Sequence, residues 1–527
     1  MSEKLALIIP EILLFITTCV VMITGQWPLR AVRQFTPWIC AIGLLAAAGV
    51  ATATPEAVGT LFPTMIPYTK VVIAMVGILL LLLLSGTVDR DLEADVDKGK
   101  AFNSINSNRG EFYAFFMFSI TGLMLTVSAD DLIWLFLALE LTSLPTYIMV
   151  TISTKEHKSR EAGVKYFFLG ALGAATFLYG FAMLYGAAGT TNIAGIADHF
   201  ATHGVGAIGM MGMLVALLGI CFKIAAFPMH FYTPDVYQGA ASSVSAMLAF
   251  VPKTAGFIAM ILLLGTVGWN SDHGLPSEIN AMLWIIAAFT MTVGNALALI
   301  QRSIKRMLAY SSIAHTGYMM VGLIAGPGQP GDPFWRNGIA AVLFYLLCYG
   351  VMTTGVFAVL SALEKRNAQE ADDIDDIRGL CKKYPALGWT LVICVLSMLG
   401  FPPLLGFIGK FGLFSSGISS GNIALVVILG LNSAIAAWYY LGLIAAAYLD
   451  KPGDSVSTVT VSPFVSRKVA GVVCAAGVLI LLVFSQPLIE GARHAAAFAP
   501  GVAAEVDHTD APDAVEHVGV TMKDHQD

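Results

Sequence analysis

Charge is scarce in this chain of 527 residues: 12% of them are Asp, Glu, Lys or Arg, against 57% hydrophobic. A soluble globular domain carries roughly 25% charged residues. With about half that share the chain cannot cover a water-facing surface of its size, which excludes the string of soluble domains its length alone suggests. Paired cysteines are missing as well. Cys19, Cys40, Cys221, Cys348, Cys381, Cys394 and Cys474 never approach a CxxC spacing, so the usual metal and thiol-redox patterns are absent and the cysteines read as small apolar fillers. No GxGxxG follows a strand, which removes the nucleotide-binding fingerprint. The first apolar stretch also lacks the basic start and small-residue cleavage site of a signal peptide.

Long apolar runs fill the chain instead, each near the 20 residues needed to cross about 30 Å of hydrocarbon. They fall near 5–24, 36–53, 69–87, 111–129, 131–153, 164–188, 205–228, 241–265, 281–300, 307–325, 336–361, 386–419, 423–448 and 467–486. The expected fold class is all-α, a polytopic membrane protein of about 14 transmembrane helices. Run 386–419 is too long for one span, and Pro402-Pro403 with nearby glycines reads as a break within it. Loops after odd-numbered runs hold most of the arginines and lysines, whereas loops after even-numbered runs hold only Lys70 and Arg336. Basic loops stay in the cytoplasm, so both termini are expected on the non-cytoplasmic side. Segment 501–527 is acidic, with scattered His508, His517 and His525, and reads as a disordered, solvated tail.

Once loops and termini have claimed their share, three basic residues are left deep inside apolar runs: Lys223, Lys253 and Lys410. A charge at the centre of a transmembrane helix costs at least about 2.5–3.5 kcal/mol. Snorkelling to a helix end explains one such lysine readily, but three less so. Glu140 is the acidic counterpart, about 14 Å along its helix from Asp130 and Asp131. Lys223 is its natural partner, either as a static buried pair or as one whose protonation states are coupled, as proton movement requires. Two helices look interrupted, at Phe227-Pro228 and at Phe401-Pro402-Pro403. Breaks at corresponding positions of two halves point to an ion site in inverted-repeat transporters. Aligning the breaks carries Glu140 to within one residue of His315, either a proton relay near neutral pH or a hydrogen-bonded packing residue.

At these residues the chain resembles a known family. Pro234-Asp235-Val236-Tyr237-Gln238-Gly239-Ala240, followed by Pro252-Lys253, is similar to the signature of the antiporter-like subunits of proton-pumping NADH:quinone oxidoreductase, respiratory complex I. The Asp-Val-Tyr-x-Gly-Ala stretch favours the N family over its sisters L and M. Leu139-Glu140-Leu141, Lys223 and Gly400-Phe401-Pro402-Pro403 with Gly409-Lys410 fit the same family, over about residues 110–450. Tyr232 departs from it, standing where the family usually has tryptophan, as does Ala241-Ser242-Ser243 in place of a proline-bearing stretch.

The resemblance implies two inverted five-helix repeats, at 111–265 and 266–450. Three helices precede them in 1–110, and one helix follows in 451–500 before the tail. It implies proton translocation through Glu140, Lys223, Lys253, His315 and Lys410. No cofactor or metal is expected on this chain, and NADH, flavin, iron–sulfur clusters and quinone are expected in partner subunits. Those partners would be other membrane subunits of complex I in a bacterial inner membrane. Two rivals are a subunit of a multisubunit cation/proton antiporter or of a membrane-bound hydrogenase, and a third is a non-transporting scaffold.

Overall fold

The computed structural model describes residues 2–57, 59–154, 156–269, 274–329, 331–365, 369–451 and 459–499. The expected acidic tail therefore lies outside the described residues. Among the described residues, twelve helices are long and apolar enough to cross a membrane by themselves. In chain order the helices are α1 (Ser2–Gly25), α2 (Arg30–Thr52), α3 (Met65–Leu84), α4 (Arg90–Asp97), α5 (Arg109–Val127), α6 (Leu132–Ile152) and α7 (His157–Ala188). Next come α8 (Ile193–His203), α9 (Gly206–Ile224), α10 (Thr233–Gly239), α11 (Ser242–Val267), α12 (Ser277–Ala298), α13 (Ile304–Ala325) and α14 (Gly338–Ala362). The last are α15 (Leu380–Lys383), α16 (Pro385–Leu399), α17 (Leu405–Ser419), α18 (Ile423–Tyr448), α19 (Val465–Val483) and α20 (Ser485–Ala495).

The twelve are α1–α3, α5–α7, α9, α11, α12, α14, α18 and α19. A thirteenth candidate is α16, joined to the short helices before it at a bend of 118°. α13 has the length of a span, 22 residues, but its serines, histidine and tyrosines make it less apolar than the rest. α16 and α17, of 15 residues each, meet across the expected break at 400–404. Helix is the only open-edged backbone that survives in lipid, because it satisfies its own N–H and C=O groups.

α11 and α14 form the centre of the bundle, every residue of their apolar windows being buried. Glycines bring neighbours close where polar side chains must meet. A Cβ on Gly180 of α7 would lie 2.4 Å from the Ala216 nitrogen of α9, and one on Gly219 would lie 2.4 Å from the Phe177 nitrogen. Small residues of this kind let membrane helices approach backbone to backbone. Here they hold α9, with Lys223 near its end, tightly against α7.

The structure corrects several loop assignments. Lys70 is not in a loop but inside α3, fully buried, with its ammonium 2.7 Å from the Glu11 carboxylate of α1. It also donates to the Leu7 carbonyl, and Ser128, just past α5, donates to Glu11 at 3.0 Å. Arg33, Lys305 and Arg467, beside or at the start of apolar runs, are likewise buried. Long stems at helix ends carry these charges inward to partners that hydropathy does not register. Arg33 pairs with Glu93 at 2.9 Å. Burial pushes the Glu93 carboxyl up, but Arg33, Arg109 and Arg30 together hold it below the usual carboxylate range.

Lys70→Ala is expected to destabilise the protein by about 3–5 kcal/mol, because it strands a buried carboxylate. Combining it with Glu11→Leu removes the stranded charge and restores most of that loss. Thermal unfolding in detergent checks this, and equal midpoints for the single and double variants would refute the coupling.

Candidate functional site

The break after α9 is built into the sequence. Ala225 adopts a left-handed conformation (φ 56°) and Pro228 has no N–H to offer. The freed backbone groups find side chains from three neighbouring elements. Tyr232 donates to the Phe222 carbonyl at 2.8 Å, Thr316 of α13 donates to the Ile224 carbonyl at 2.8 Å, and the Phe227 N–H donates to Thr290 of α12 at 2.9 Å. Each bond meets the rule that buried backbone groups must be paired. The tyrosine at position 232 thus has a role of its own, closing the end of α9.

Lys223, one turn before that break, reaches α6. Its ammonium lies 2.9 Å from Glu140, 2.6 Å from the Ser143 hydroxyl and 3.3 Å from the Leu139 carbonyl. The sequence pairing of Glu140 with Lys223 is therefore realised. Lys223 is enclosed at 2% exposure, whereas the Glu140 side chain is 17% exposed and opens to the outside of the chain.

Lys253 lies at the middle of α11, beside Pro252. Its ammonium donates to the Ser312 carbonyl and, at 2.9 Å, to the Thr316 hydroxyl, and sits 5.8 Å from the centre of the Tyr349 ring. Lys223 and Lys253 do not touch. A small cavity lies between them, lined by Tyr166, Tyr232, Thr233 and Tyr237, with room for about one water molecule.

His315 is on α13 next to Thr316. Nδ1 is 2.6 Å from the Tyr345 hydroxyl and Nε2 is 2.9 Å from that of Tyr440, which in turn meets Ser311. Tyr349 donates to Ser312 at 2.7 Å, so Lys253 and His315 share one hydroxyl-lined stretch of α13. Lys410 lies on α17, but its side chain turns back to the break and donates to the Leu399 carbonyl at 3.0 Å. That carbonyl belongs to the last turn of α16, where the helix dipole is negative. The ammonium is 5.0 Å from the Tyr318 ring, which also neighbours His315 at 5.4 Å between ring centres. Tyr318 is fixed by Asn295, which also binds Asn432 and Tyr439.

All five expected residues thus lie in one row: Glu140, Lys223, Lys253, His315 and Lys410. Among the described residues neither Lys253 nor Lys410 has a carboxylate partner. What the sequence reading missed are the groups that join them, namely Ser143, Ser312, Thr316, Tyr318, Tyr345, Tyr349 and Tyr440. Their one signal is hydroxyls recurring along otherwise apolar runs, which is also how packing hydroxyls look.

Comparison with known proteins places this geometry. The family described as NADH:quinone oxidoreductase/Mrp antiporter, TM matches residues 129–436, the stretch that holds the whole row. NADH-quinone oxidoreductase subunit N of Trichlorobacter lovleyi is 36% identical over 86% of this chain and 88% of its own length. A chain of respiratory complex I from Thermus thermophilus, solved with bound aureothin, is 30% identical, with a TM-score of 0.71 over 92% of this chain and 99% of that one. A chain of the Mrp complex from a Dietzia species shares the fold at 17% identity, with a TM-score of 0.75 over 95% and 99%. Identity, coverage and the buried row agree: the chain belongs to the NADH-quinone oxidoreductase subunit N family, among the antiporter-like membrane subunits.

Proposed function

We propose that this chain translocates protons within a bacterial NADH:quinone oxidoreductase, along the row from Glu140 to Lys410. The observation that supports the reading is the continuity of that row through the interior of an apolar bundle. One ion pair is followed by two amines without carboxylates, and hydroxyls, a water-sized cavity and an imidazole join them. Moving a proton onto or off one member alters the electrostatic energy of the next, and in low dielectric that coupling is strong. Protons reach the row through a half-channel, pass among Lys223, Lys253 and His315, and leave by way of Lys410. Glu140, partly open on the outer face, sets the charge state of Lys223 and couples it to a neighbouring membrane subunit.

The two broken helices belong to two inverted five-helix repeats, 111–265 and 266–450, with both termini on the non-cytoplasmic side. This chain has no redox centre of its own, and flavin, iron–sulfur clusters and the quinone site reside in partner subunits. Purifying the chain through an affinity tag tests the reading. The complex is expected to carry flavin and iron–sulfur absorbance and, in vesicles, to acidify the lumen only when NADH and quinone are supplied. Sodium/proton exchange without NADH, and no flavin in the preparation, would overturn it in favour of an antiporter subunit.

A further inference from the structure

A second buried polar cluster lies at the basic end of the bundle, two helical turns from the row. Glu370, in the loop between α14 and α15, is 2.7 Å from the Lys305 ammonium of α13. The same carboxylate oxygen accepts from the backbone N–H and the hydroxyl of Ser242, the first residue of α11, at 2.7 and 2.6 Å. Lys305 also donates to the Ala240 carbonyl at 3.0 Å, at the end of the Asp-Val-Tyr-Gln-Gly-Ala stretch. The Glu370 side chain keeps 16% of its surface exposed, and Lys305 keeps 7%.

From this cluster two helices run side by side towards Lys253. On α13, Lys305, Ser312 and Thr316 are spaced i, i+7, i+11 and share a face. On α11, Ser242, Ser245 and Lys253 share the facing side, about 16 Å from end to end. Tyr237 lies between them, its carbonyl accepting from Ser245 at 2.9 Å and its hydroxyl 3.3 Å from that of Ser312. On α14, Thr353 and Thr354 are one turn from Tyr349 towards the same end, and among the described residues the buried Thr354 hydroxyl has no hydrogen-bond partner. An unpaired buried hydroxyl is a group that a bridging water can satisfy.

We propose that this column is the proton-uptake path to Lys253 and that Glu370, held by Lys305 and Ser242, is the anionic collector at its mouth. The proposal rests on the functional reading above and names the uptake route that reading leaves open. A proton from cytoplasmic water passes from hydroxyl to hydroxyl and through intervening water, each oxygen taking one proton and releasing another. It ends on the free amine of Lys253, which becomes an ammonium, and bulk buffer neutralises the hydroxide left outside. Besides Lys305, the charged groups near Glu370 are Arg467 of α19 and, across an antiparallel bridge, Glu364, itself bound by Arg90 at 2.9 Å. Burial pushes the Glu370 carboxyl up, but Lys305, the Ser242 bonds and Arg467 outweigh this and hold it below the ordinary carboxylate range. It therefore stays anionic at neutral pH, attracting protons without storing them.

The test uses the whole complex in vesicles, where added NADH reaches only molecules with their cytoplasmic side outward. Glu370→Gln is expected to pump several-fold fewer protons per NADH, with the deficit growing as external pH rises, while uncoupled NADH oxidation is unchanged. Glu370→Asp is expected to restore most of the pumping. Wild-type pumping by Glu370→Gln at every pH would overturn the proposal. So would equal loss of assembly in both variants, which marks a merely structural clamp. If instead Glu140→Ala and Lys223→Ala pump normally, the assignment of the row itself fails, a result separable from any outcome at Glu370.

Discussion

Glu140→Ala and Lys223→Ala are each expected to abolish most NADH-driven proton pumping while leaving uncoupled electron transfer in place. Among the described residues Glu140 supplies the one carboxylate on the Lys223 ammonium, whose other acceptors are the neutral Ser143 hydroxyl and Leu139 carbonyl. Removing one member of a buried, hydrogen-bonded pair costs about 3–5 kcal/mol, because the other charge is left uncompensated. Spent on a proton-transfer step, that is about two to three and a half orders of magnitude in rate. Glu140→Gln separates charge from packing. It keeps a hydrogen-bonding oxygen of the same size, so normal assembly with lost pumping assigns the effect to the charge. Lumenal acidification of vesicles, normalised to subunit content by mass spectrometry, reads all three variants. Undiminished pumping in both alanine variants at normal assembly would sink the assignment.

The second large effect separates stability from function by sign. Lys253→Met and Lys410→Met replace the two amines that have no carboxylate partner by an apolar chain of similar length. An ammonium at mid-membrane costs at least about 2.5–3.5 kcal/mol, and its acceptors here are a carbonyl and hydroxyl for Lys253 and one carbonyl for Lys410. Both methionine variants are therefore expected to unfold in detergent at or above the parent temperature, yet to pump little or nothing. A scaffold would show the first result without the second. Lysines kept for structure would show a lower unfolding temperature in both variants. Differential scanning fluorimetry alongside the vesicle assay distinguishes the three outcomes.

How far the site was legible in the sequence depended on how rare each residue type is in lipid. Glu140, Lys223, Lys253 and Lys410 stand out because ionisable residues inside apolar runs are costly and few. The sequence reading nevertheless took those three lysines as the whole remainder, and the structure adds Lys70. It lies only five residues into α3, where hydropathy cannot distinguish a buried ammonium from one at the membrane surface. Arg33, Lys305 and Arg467 went the same way. Each sits within four residues of a helix start, and only the neighbouring elements show whether its stem turns to water or inward.

The hydroxyls were less legible still. Ser312 and Thr316 read as ordinary small residues, yet they are the groups Lys253 binds through. Tyr345 and Tyr440, which hold both nitrogens of His315, lie 30 and 125 residues from it in the chain. No local pattern marks such partners, because they converge by helix packing alone.

Sequence by itself determined the membrane class, the approximate position of most crossings, and the two broken helices. It also gave the charged members of the row, since composition and the cost of burying charge act locally. Tertiary structure decided which of those charges meet and which amines go without a carboxylate. It placed the Glu370–Lys305–Ser242 cluster over the column that runs to Lys253. Those outcomes depend on contacts between helices distant in the chain, and low dielectric makes the difference between touching and not touching the largest energy in the site.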